Sequence, residues 1–253
     1  MISMKKHIPN FITSLNLASG FIAIILAFKG DLSNASWFIM AAMVFDFFDG
    51  FSARLLKAYS DIGKELDSLA DVVSFGVAPA VIIYQLLAAA SGAAEQAFPE
   101  ASGSFSSIIL WLPVIMPVCA ALRLAKFNID STQATSFKGL PTPANALAVV
   151  SVVLADYYGN SNLISSFTGS QVSIILFTII ISLLMVTRLP LLSLKMSHLR
   201  LDGNEGRYIL AGLIILAVIL FGVPGTTLII PLYIIVSLAS GLFFKKINPD
   251  QHS

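Results

Sequence analysis

The chain has 253 residues, of which 57% are hydrophobic and only 11% are charged, and its formal net charge is +1. Soluble domains carry about 25% charged residues, so this composition excludes an ordinary water-soluble enzyme, and the near-neutral charge gives no support for a nucleic-acid-binding protein. The single cysteine, Cys119, has no partner within the chain, which excludes a disulfide-stapled secreted domain. The class that remains is a polytopic membrane protein.

Long apolar segments predict the membrane helices, because a helix needs about 20 apolar residues to cross the hydrocarbon core. Eight candidates follow one another at 11–28, 35–56, 63–90, 106–127, 143–158, 170–187, 207–222 and 225–244. The first lacks a clean small-residue cleavage site, which favours a retained helix over a signal peptide. The sequence therefore predicts an all-α fold: a polytopic bundle of about eight transmembrane helices that forms one membrane-embedded catalytic domain over 1–253.

Positive charge predicts the orientation of these spans, because cytoplasmic loops are enriched in Lys and Arg. With eight alternating spans, 14 of the 15 basic residues fall on one side, and only Lys29 falls on the other. The basic side includes predicted loops near 57–62, 123–142 and 188–206. We therefore expect both termini, and a site at that end of the helices, to face the cytoplasm from the inner membrane.

Four acidic residues gather near the cytoplasmic ends of the second and third spans: Asp46, Asp49, Asp67 and Asp71. Acids within spans are costly and usually functional. Residues three or four apart share a helix face, and the short connection makes the two helices antiparallel neighbours, so the acidic stripes converge. An all-oxygen cluster suits Mg²⁺ or Mn²⁺, and Mg²⁺ commonly completes its shell with phosphate oxygens. The pattern predicts a divalent-metal site for a phosphorylated substrate at the membrane edge.

The motif core at 46–71 contains these acids at fixed spacing. It reads Asp46-x2-Asp49-Gly50-x2-Ala53-Arg54-x8-Gly63-x3-Asp67-x3-Asp71. At all eight fixed positions the chain resembles the CDP-alcohol phosphatidyltransferase family. The resemblance implies a membrane enzyme that moves a phosphatidyl group from a CDP-lipid to an alcohol. It also implies that the four aspartates bind divalent metal, with two ions expected, and that Asp71 serves as the base.

Five further segments resemble the bacterial branch of this family that uses L-serine as acceptor: 8–20, 67–79, 123–128, 137–144 and 188–195. This resemblance implies CDP-diacylglycerol and L-serine as substrates, CMP as the leaving product, and a homodimer. Transfer to another alcohol, such as glycerol 3-phosphate or an inositol phosphate, stays open within the same class. An ion-coupled transporter is the alternative from another class, but transporter sites tend to lie near the midplane in repeated halves, and no repeat is evident here.

The family resemblance also assigns five residues to the CDP-lipid: Gly50, Arg54, Ser60, Asn10 and Thr13. Gly50 would allow close backbone approach, Arg54 would bond a phosphate, and Ser60 would offer its hydroxyl. Asn10 and Thr13 match a segment that approaches the nucleotide. An ordinary N-cap at the start of the first helix would explain Asn10 and Thr13 equally well.

The acceptor pocket should offer a cation and hydrogen-bond acceptors, because serine carries both a carboxylate and an ammonium group. Arg123, Lys126 and Asn128 lie at the cytoplasmic end of the fourth span and are the natural candidates, with Lys138 and Lys195 behind them. The enrichment of cytoplasmic loops in basic residues explains the cations there without any substrate, so both interpretations stay open.

Overall fold

The structure is a computed structural model that describes residues 2–92, 108–129, 137–192 and 204–243. The α-helices within these ranges are α1 Ile2–Phe28, α2 Leu32–Leu55, α3 Asp61–Asp71, α4 Ala78–Ala90, α5 Ile115–Ile129, α6 Thr142–Tyr158, α7 Asn162–Thr168, α8 Gln171–Val186, α9 Glu205–Phe221 and α10 Ile229–Phe243. A π-helical segment, Val72–Val77, joins α3 to α4 without a break, and 3₁₀ turns at Leu112–Val114 and Val223–Leu228 precede α5 and α10.

Four helical stretches in the described part of the chain are long and apolar enough to cross a membrane: His7–Phe28, Asp61–Ala90, Leu112–Ile129 and Val223–Ser240. The pair α7 and α8, bent by 83° at a short break, would add a fifth if it forms one span. The helical membrane architecture is thus confirmed, but the number of eight spans is not. One reason is length, because α6 and α9 have 17 residues each and extend only about 25 Å.

Helix ends in the structure overlap the edges of the predicted loops. α3 already begins at Asp61, α5 continues through Arg123 to Ile129, and α9 begins at Glu205. Pro141 stands directly before α6, where proline favours the start of a helix over its continuation. Residues 130–136 and 193–203 lie outside the described residues.

A two-residue antiparallel pairing departs from the expected all-α fold. β1 Phe137–Lys138 pairs with β2 Pro190–Leu191 and so connects the approach to α6 with the exit from α8. The adjacent Gly139 has a φ of +78°, and a Cβ there would lie 2.7 Å from the carbonyl oxygens of Met185 and Thr187. Glycine is therefore required where this connection crosses the end of α8.

Pro79 follows shortly after the π turn and leaves one of its carbonyls without an α-helical donor. Proline has no amide hydrogen, so the carbonyl of Phe75, four residues earlier, loses its α-helical donor. The side chain of Asn145 in α6 replaces that donor, with Nδ2 lying 3.2 Å from the Phe75 oxygen. Asn145 and Phe75 are both fully buried. The long helix that contains Asp71 is thereby fixed to α6 just beyond the acid.

Small residues bring neighbouring helices close to this π-helical segment. A Cβ on Gly20 of α1 would lie 2.3 Å from the Ser74 Oγ, and one on Gly76 would lie 3.0 Å from the Ala120 Cβ in α5. Close approach through small residues is a common way for membrane helices to pack. The segment is consequently held between α1 and α5, which limits how far the side chains near it can move.

The apolar core surrounds the same segment and extends along α4, α6 and α8. Its largest fully buried apolar side chains are Phe75, Ile39, Ile82, Ile83, Leu87, Met116, Leu140, Ile174, Met185, Val149 and Val150. Many large apolar side chains on the outer faces are exposed instead, among them Phe47, Phe51, Trp111, Ile180 and Ile219. Such an apolar exterior is expected of helices that face lipid.

Candidate active site

Three carboxylates converge where α2 meets α3. Asp46, Asp49 and Asp67 each offer one oxygen, and these oxygens all lie within 4.8 Å of one another. Asp46 and Asp49 share a face of α2 because they are three residues apart, and Asp67 meets them from α3 because the connection between these helices reverses the chain. We call these three residues the acidic cluster.

Unpaired oxygens show that the acidic cluster is suited to a cation. The Asp49 Oδ2 and the Asp67 Oδ1 are buried and have no hydrogen-bond partner among the described residues, and Asp49 is only 5% exposed. Buried anionic oxygens without compensation are costly. A hard divalent cation would supply that compensation, and oxygen-only ligands fit Mg²⁺ or Mn²⁺. The expectation that these acids can hold a divalent metal ion is therefore confirmed, without distinguishing the two ions.

Asp71 is adjacent to the acidic cluster but does not belong to the set of oxygens that converge there. It is 7% exposed and lies close enough to all three cluster residues to interact electrostatically with them. Its Oδ1 accepts a hydrogen bond of 3.2 Å from the Asn16 Nδ2 in α1. Asp71 is thus a fourth buried acid with one oxygen held by a neutral amide.

A cavity of about 220 Å³ opens beside the acidic cluster, between α1, α2 and the start of α3. Its lining residues are Pro9, Asn10, Thr13, Asp49, Gly50, Ala53, Arg54, Ala58, Tyr59, Ser60, Gly63, Lys64 and Asp67. The structure therefore brings together, around one opening, all five residues assigned to the CDP-lipid by resemblance and two residues of the acidic cluster. We call this opening the α1–α3 cavity.

Local hydrogen bonds explain how the cavity wall is built. The Ser60 Oγ accepts from the Gly63 amide at 3.0 Å and so caps α3. A Cβ on Gly63 would lie 2.9 Å from the Asn10 Oδ1; glycine is needed there for close packing against α1. The first turn of α3 borders the cavity, and helix N-termini favour anions such as phosphate.

The first helix begins well before the residues that line the cavity. α1 starts at Ile2 and runs through Pro9, so the N-cap interpretation of Asn10 and Thr13 is wrong. The Thr13 Oγ1 donates to the Pro9 carbonyl at 3.0 Å and is buried. Both residues therefore act as side chains on the wall of the α1–α3 cavity, one helical turn apart.

Arg123 lies inside the protein, whereas basic residues placed only by membrane topology are normally solvated. It is 9% exposed, and its Nε is buried without a hydrogen-bond partner in the described part of the chain. Asp71 and Tyr233 lie close enough to interact with its charge. The Tyr233 hydroxyl donates to the Leu192 carbonyl at 3.0 Å. A buried guanidinium therefore lies on the side of Asp71 that α5 and α10 cover.

The other predicted acceptor-binding residues are arranged differently. Lys126 is exposed. The Asn128 Nδ2 donates to the Ser68 Oγ at 2.9 Å, and the Asn128 carbonyl accepts from the Lys64 Nζ at 3.0 Å, so this residue connects α5 with α3. The Lys138 side chain and all of Lys195 lie outside the described residues.

Asn16 is a polar site residue that sequence reasoning did not identify. A signal for it was present, because Asn10, Thr13 and Asn16 recur every three residues in a long, largely apolar helix and so lie near one face. Thr13 and Asn16 are both buried. The polar face of α1 therefore extends to Asn16, beyond Asn10 and Thr13, which the family resemblance identifies.

Comparison with known proteins agrees with this geometry. Residues 6–185 match the family model described as CDP-alcohol phosphatidyltransferase. The match covers more than half of the chain, and the chain belongs to the CDP-alcohol phosphatidyltransferase family. It is a membrane enzyme of the phosphatidyltransferase class, as its motif indicates.

Curated relatives refine the comparison. The chain is 32% identical over 203 residues to the CDP-diacylglycerol–serine O-phosphatidyltransferase of Bacillus subtilis (strain 168). The aligned region covers 80% of this chain and 99% of that protein. It is 35% identical over 189 residues to the enzyme of the same name from Methanocaldococcus jannaschii, and the aligned region covers 74% of this chain and 75% of that protein. It is 32% identical over 173 residues to the archaetidylserine synthase of Methanothermobacter thermautotrophicus, and the aligned region covers 68% of this chain and 67% of that protein.

Proposed function

We propose that the chain transfers the phosphatidyl group of CDP-diacylglycerol to the hydroxyl of L-serine and releases CMP. The observation that carries the transfer is the acidic cluster at the edge of a cavity lined by the five residues expected to hold the CDP-lipid. The acceptor is supported by relatives named for serine, one of which is matched over 99% of its length. The lipid tails can stay in the bilayer, because the site lies at the end of a membrane helix.

The acidic cluster would hold one divalent ion, with Asp71 completing the site of a second. When bound, such ions neutralise phosphate oxygens and stabilise the leaving group of a phosphoryl transfer. Arg54 and Lys64 border the same cavity and would orient the pyrophosphate through charge-assisted hydrogen bonds. Gly50 leaves room there, because a Cβ would have only the Arg54 guanidinium near it, at 3.7 Å.

Asp71 is the proposed proton acceptor. In the transfer, the serine hydroxyl loses its proton to a carboxylate oxygen of Asp71, and the serine oxygen forms a bond to the phosphorus that bears diacylglycerol. The bond from that phosphorus to the oxygen of CMP breaks, and CMP leaves with the electron pair. One Asp71 oxygen is engaged by Asn16, which leaves the other for this proton.

Arg123 is the proposed partner of the serine carboxylate. Its guanidinium is buried beside Asp71 with Nε unpaired, so a carboxylate there would find a charge-assisted donor within reach of the base. Lys126 and Asn128 stay predictions at the same end of α5. The Lys126 side chain is exposed, and the Asn128 side chain is bonded to Ser68, so the structure gives Arg123 the stronger support as the carboxylate partner.

We also propose that the active site and both termini face the cytoplasm from the inner membrane. The support is the distribution of Lys and Arg residues and the rule that such residues concentrate on that side. A homodimer is a further prediction, supported only by the family. Labelling of single introduced cysteines from either side of sealed vesicles would test the orientation.

An acceptor screen tests the proposed function directly. Purified protein is supplied with CDP-diacylglycerol, Mn²⁺ or Mg²⁺, and L-serine, glycerol 3-phosphate or an inositol phosphate in turn. We expect CMP release and a new lipid on chromatography with serine alone. Product from glycerol 3-phosphate and none from serine would overturn the acceptor assignment. Ion flux into liposomes without CMP release would favour the transporter instead.

Gly50→Ala is expected to raise the KM for CDP-diacylglycerol by about tenfold or more, since each 1.4 kcal/mol of lost binding is a factor of ten. The added methyl group would enter the α1–α3 cavity without a clash against protein, because its nearest neighbour would be 3.7 Å away. Alanine is favoured over glycine within helices by about 0.5–1 kcal/mol, so the variant should fold at least as stably. Steady-state kinetics and thermal unfolding in detergent measure both effects.

Gly212→Ala is the matched control for this variant. Gly212 lies in α9, and a Cβ there would have no neighbour within 4 Å, so the same helix stabilisation is expected without any change in KM. An unchanged KM in Gly50→Ala would mean that the substrate does not approach this backbone position.

A further inference from the structure

We infer that Asn16 is a positioning residue that holds the Asp71 carboxylate in its working orientation. The inference rests on the proposed role of Asp71 as proton acceptor. Asn16 is fully buried in α1, and its Nδ2 lies 3.2 Å from the Asp71 Oδ1 across a separation of 55 residues in sequence. It is the amide donor that the structure provides for this acid.

A second contact holds the backbone of α1 at a fixed distance from the helix that contains Asp71. The Ser74 Oγ donates to the Asn16 backbone carbonyl at 3.0 Å, so α1 is tied to the π-helical segment directly after Asp71. The close approach of Gly20 to Ser74 brings the two helices together one turn farther along. The backbone of α1 is thereby held beside the acid whatever side chain stands at position 16.

The unpaired oxygen of Asn16 argues against a purely structural role. Its Oδ1 is buried with no hydrogen-bond partner in the described ranges, and an unsatisfied buried acceptor is unfavourable. Turning the Asn16 amide by 180° would not help, because its Oδ1 would then face the Asp71 Oδ1 and both atoms are acceptors. The asparagine thus keeps one buried acceptor unpaired in exchange for its contact with the Asp71 carboxylate, which identifies that contact as the reason for an amide at this position.

A neutral amide is chemically suited to hold a base. The terminal torsion of an aspartate is soft, so a carboxylate without a fixed donor can rotate away from its substrate. The amide fixes one oxygen and leaves the other free, and it does not itself exchange protons with the reaction. A misplacement of about 1 Å at a reacting group can cost about 10²-fold in rate.

Two variants test this inference. Asn16→Asp retains the shape but replaces the donor with an acceptor, and Asn16→Ala removes the group. We expect the kcat of both to fall about 100-fold, with unchanged KM for CDP-diacylglycerol. The affinity of the substrate-free protein for its first Mn²⁺ ion, measured by electron paramagnetic resonance, should not fall, because the hydrogen bond of Asn16 goes to Asp71 and the three oxygens that converge on that ion belong to Asp46, Asp49 and Asp67.

Thr178→Val is the control for losing a buried hydrogen bond. Thr178 is fully buried in α8, and its Oγ1 donates to the Ile174 carbonyl at 2.7 Å. This variant should lower the unfolding temperature without changing kcat. If the Asn16 variants lose Mn²⁺ affinity and unfolding temperature along with kcat, or if neither folds, Asn16 is a structural residue and the inference is wrong.

Asp71→Asn separates this inference from the function on which it rests. If that variant keeps full turnover, Asp71 is not the base, and the proposed role of Asp71 fails together with that of Asn16. If it is inactive while both Asn16 variants turn over like the natural chain, only the positioning role fails. Loss of kcat in all three, with Mn²⁺ binding retained in the Asn16 variants, supports both.

Discussion

Replacing Asp71 with asparagine is expected to reduce turnover by about 10²–10⁴-fold, the usual contribution of a general base, while CDP-diacylglycerol still binds. The replacement has nearly the same shape, and its amide oxygen can still accept the hydrogen bond from Asn16, so the packing between α1 and α3 persists. An amide cannot take the proton of a serine hydroxyl. CMP release under saturating substrates and equilibrium binding of the CDP-lipid measure the two effects separately.

Asp61→Asn is the matched control for this prediction. Asp61 stands at the exposed start of the same helix, where loss of its charge costs only about 0.3–1 kcal/mol of helix stabilisation. Turnover should be unchanged. If Asp71→Asn were as active as Asp61→Asn, the proton would have to go elsewhere, and the proposed role of Asp71 would be refuted.

Asp49→Asn is expected to abolish both the Mn²⁺ dependence of stability and most of the activity. Asp49 is a buried member of the acidic cluster with an unpaired oxygen, so removing its charge removes a ligand. Altering an outer-shell partner of a metal costs about 10–100-fold in affinity, and loss of a direct ligand should cost more. At an ion concentration of 100 times Kd, binding stabilises a protein by about 2.7 kcal/mol, and this increment should vanish in the variant.

The sign of the stability change without metal makes this test sharper. Without an ion, Asp49→Asn relieves repulsion between neighbouring carboxylates, so the variant should unfold at the same or a higher temperature than the natural chain. Asp31→Asn is the control at the other end of α2, where Asp31 caps the helix and asparagine caps equally well. An Asp49 variant that kept the Mn²⁺-induced rise in unfolding temperature would show that the ion binds elsewhere.

The convergence of the acids could be predicted from the sequence because it follows from local geometry. Asp46 and Asp49 must share a face of one helix, Asp67 and Asp71 must share a face of the next, and a short connection must bring the two together. The structure keeps this arrangement, with three of the four carboxylates in one set. The relation of Asp71 to that set depends on how α3 rotates about its axis, which spacing alone does not determine.

Features that depend on distant contacts could not be predicted. Asn16 meets Asp71 across 55 residues, and Tyr233 comes near Arg123 from a helix more than 100 positions away. The spacing in α1 places Asn16 near the same face as Thr13, but nothing in the local sequence specifies which distant side chain it meets. The number of spans could not be predicted for a physical reason, since a helix as short as α6, with 17 residues, crosses a bilayer of average thickness only if the bilayer thins around it.

The wide turn at Val72–Val77 also accommodates one residue of chain length. Each residue of an α-helix advances by about 100°, and the π turn holds one residue more than a uniform α-helix would over the same stretch. Deleting one residue here would therefore let a uniform helix form, and Ile82 and Ile83, now buried, would keep their places in the core. The same deletion within α4 would turn every later side chain of that helix by about 100°. One-residue deletions in this long helix are therefore expected to occur at the π turn and to be selected against elsewhere.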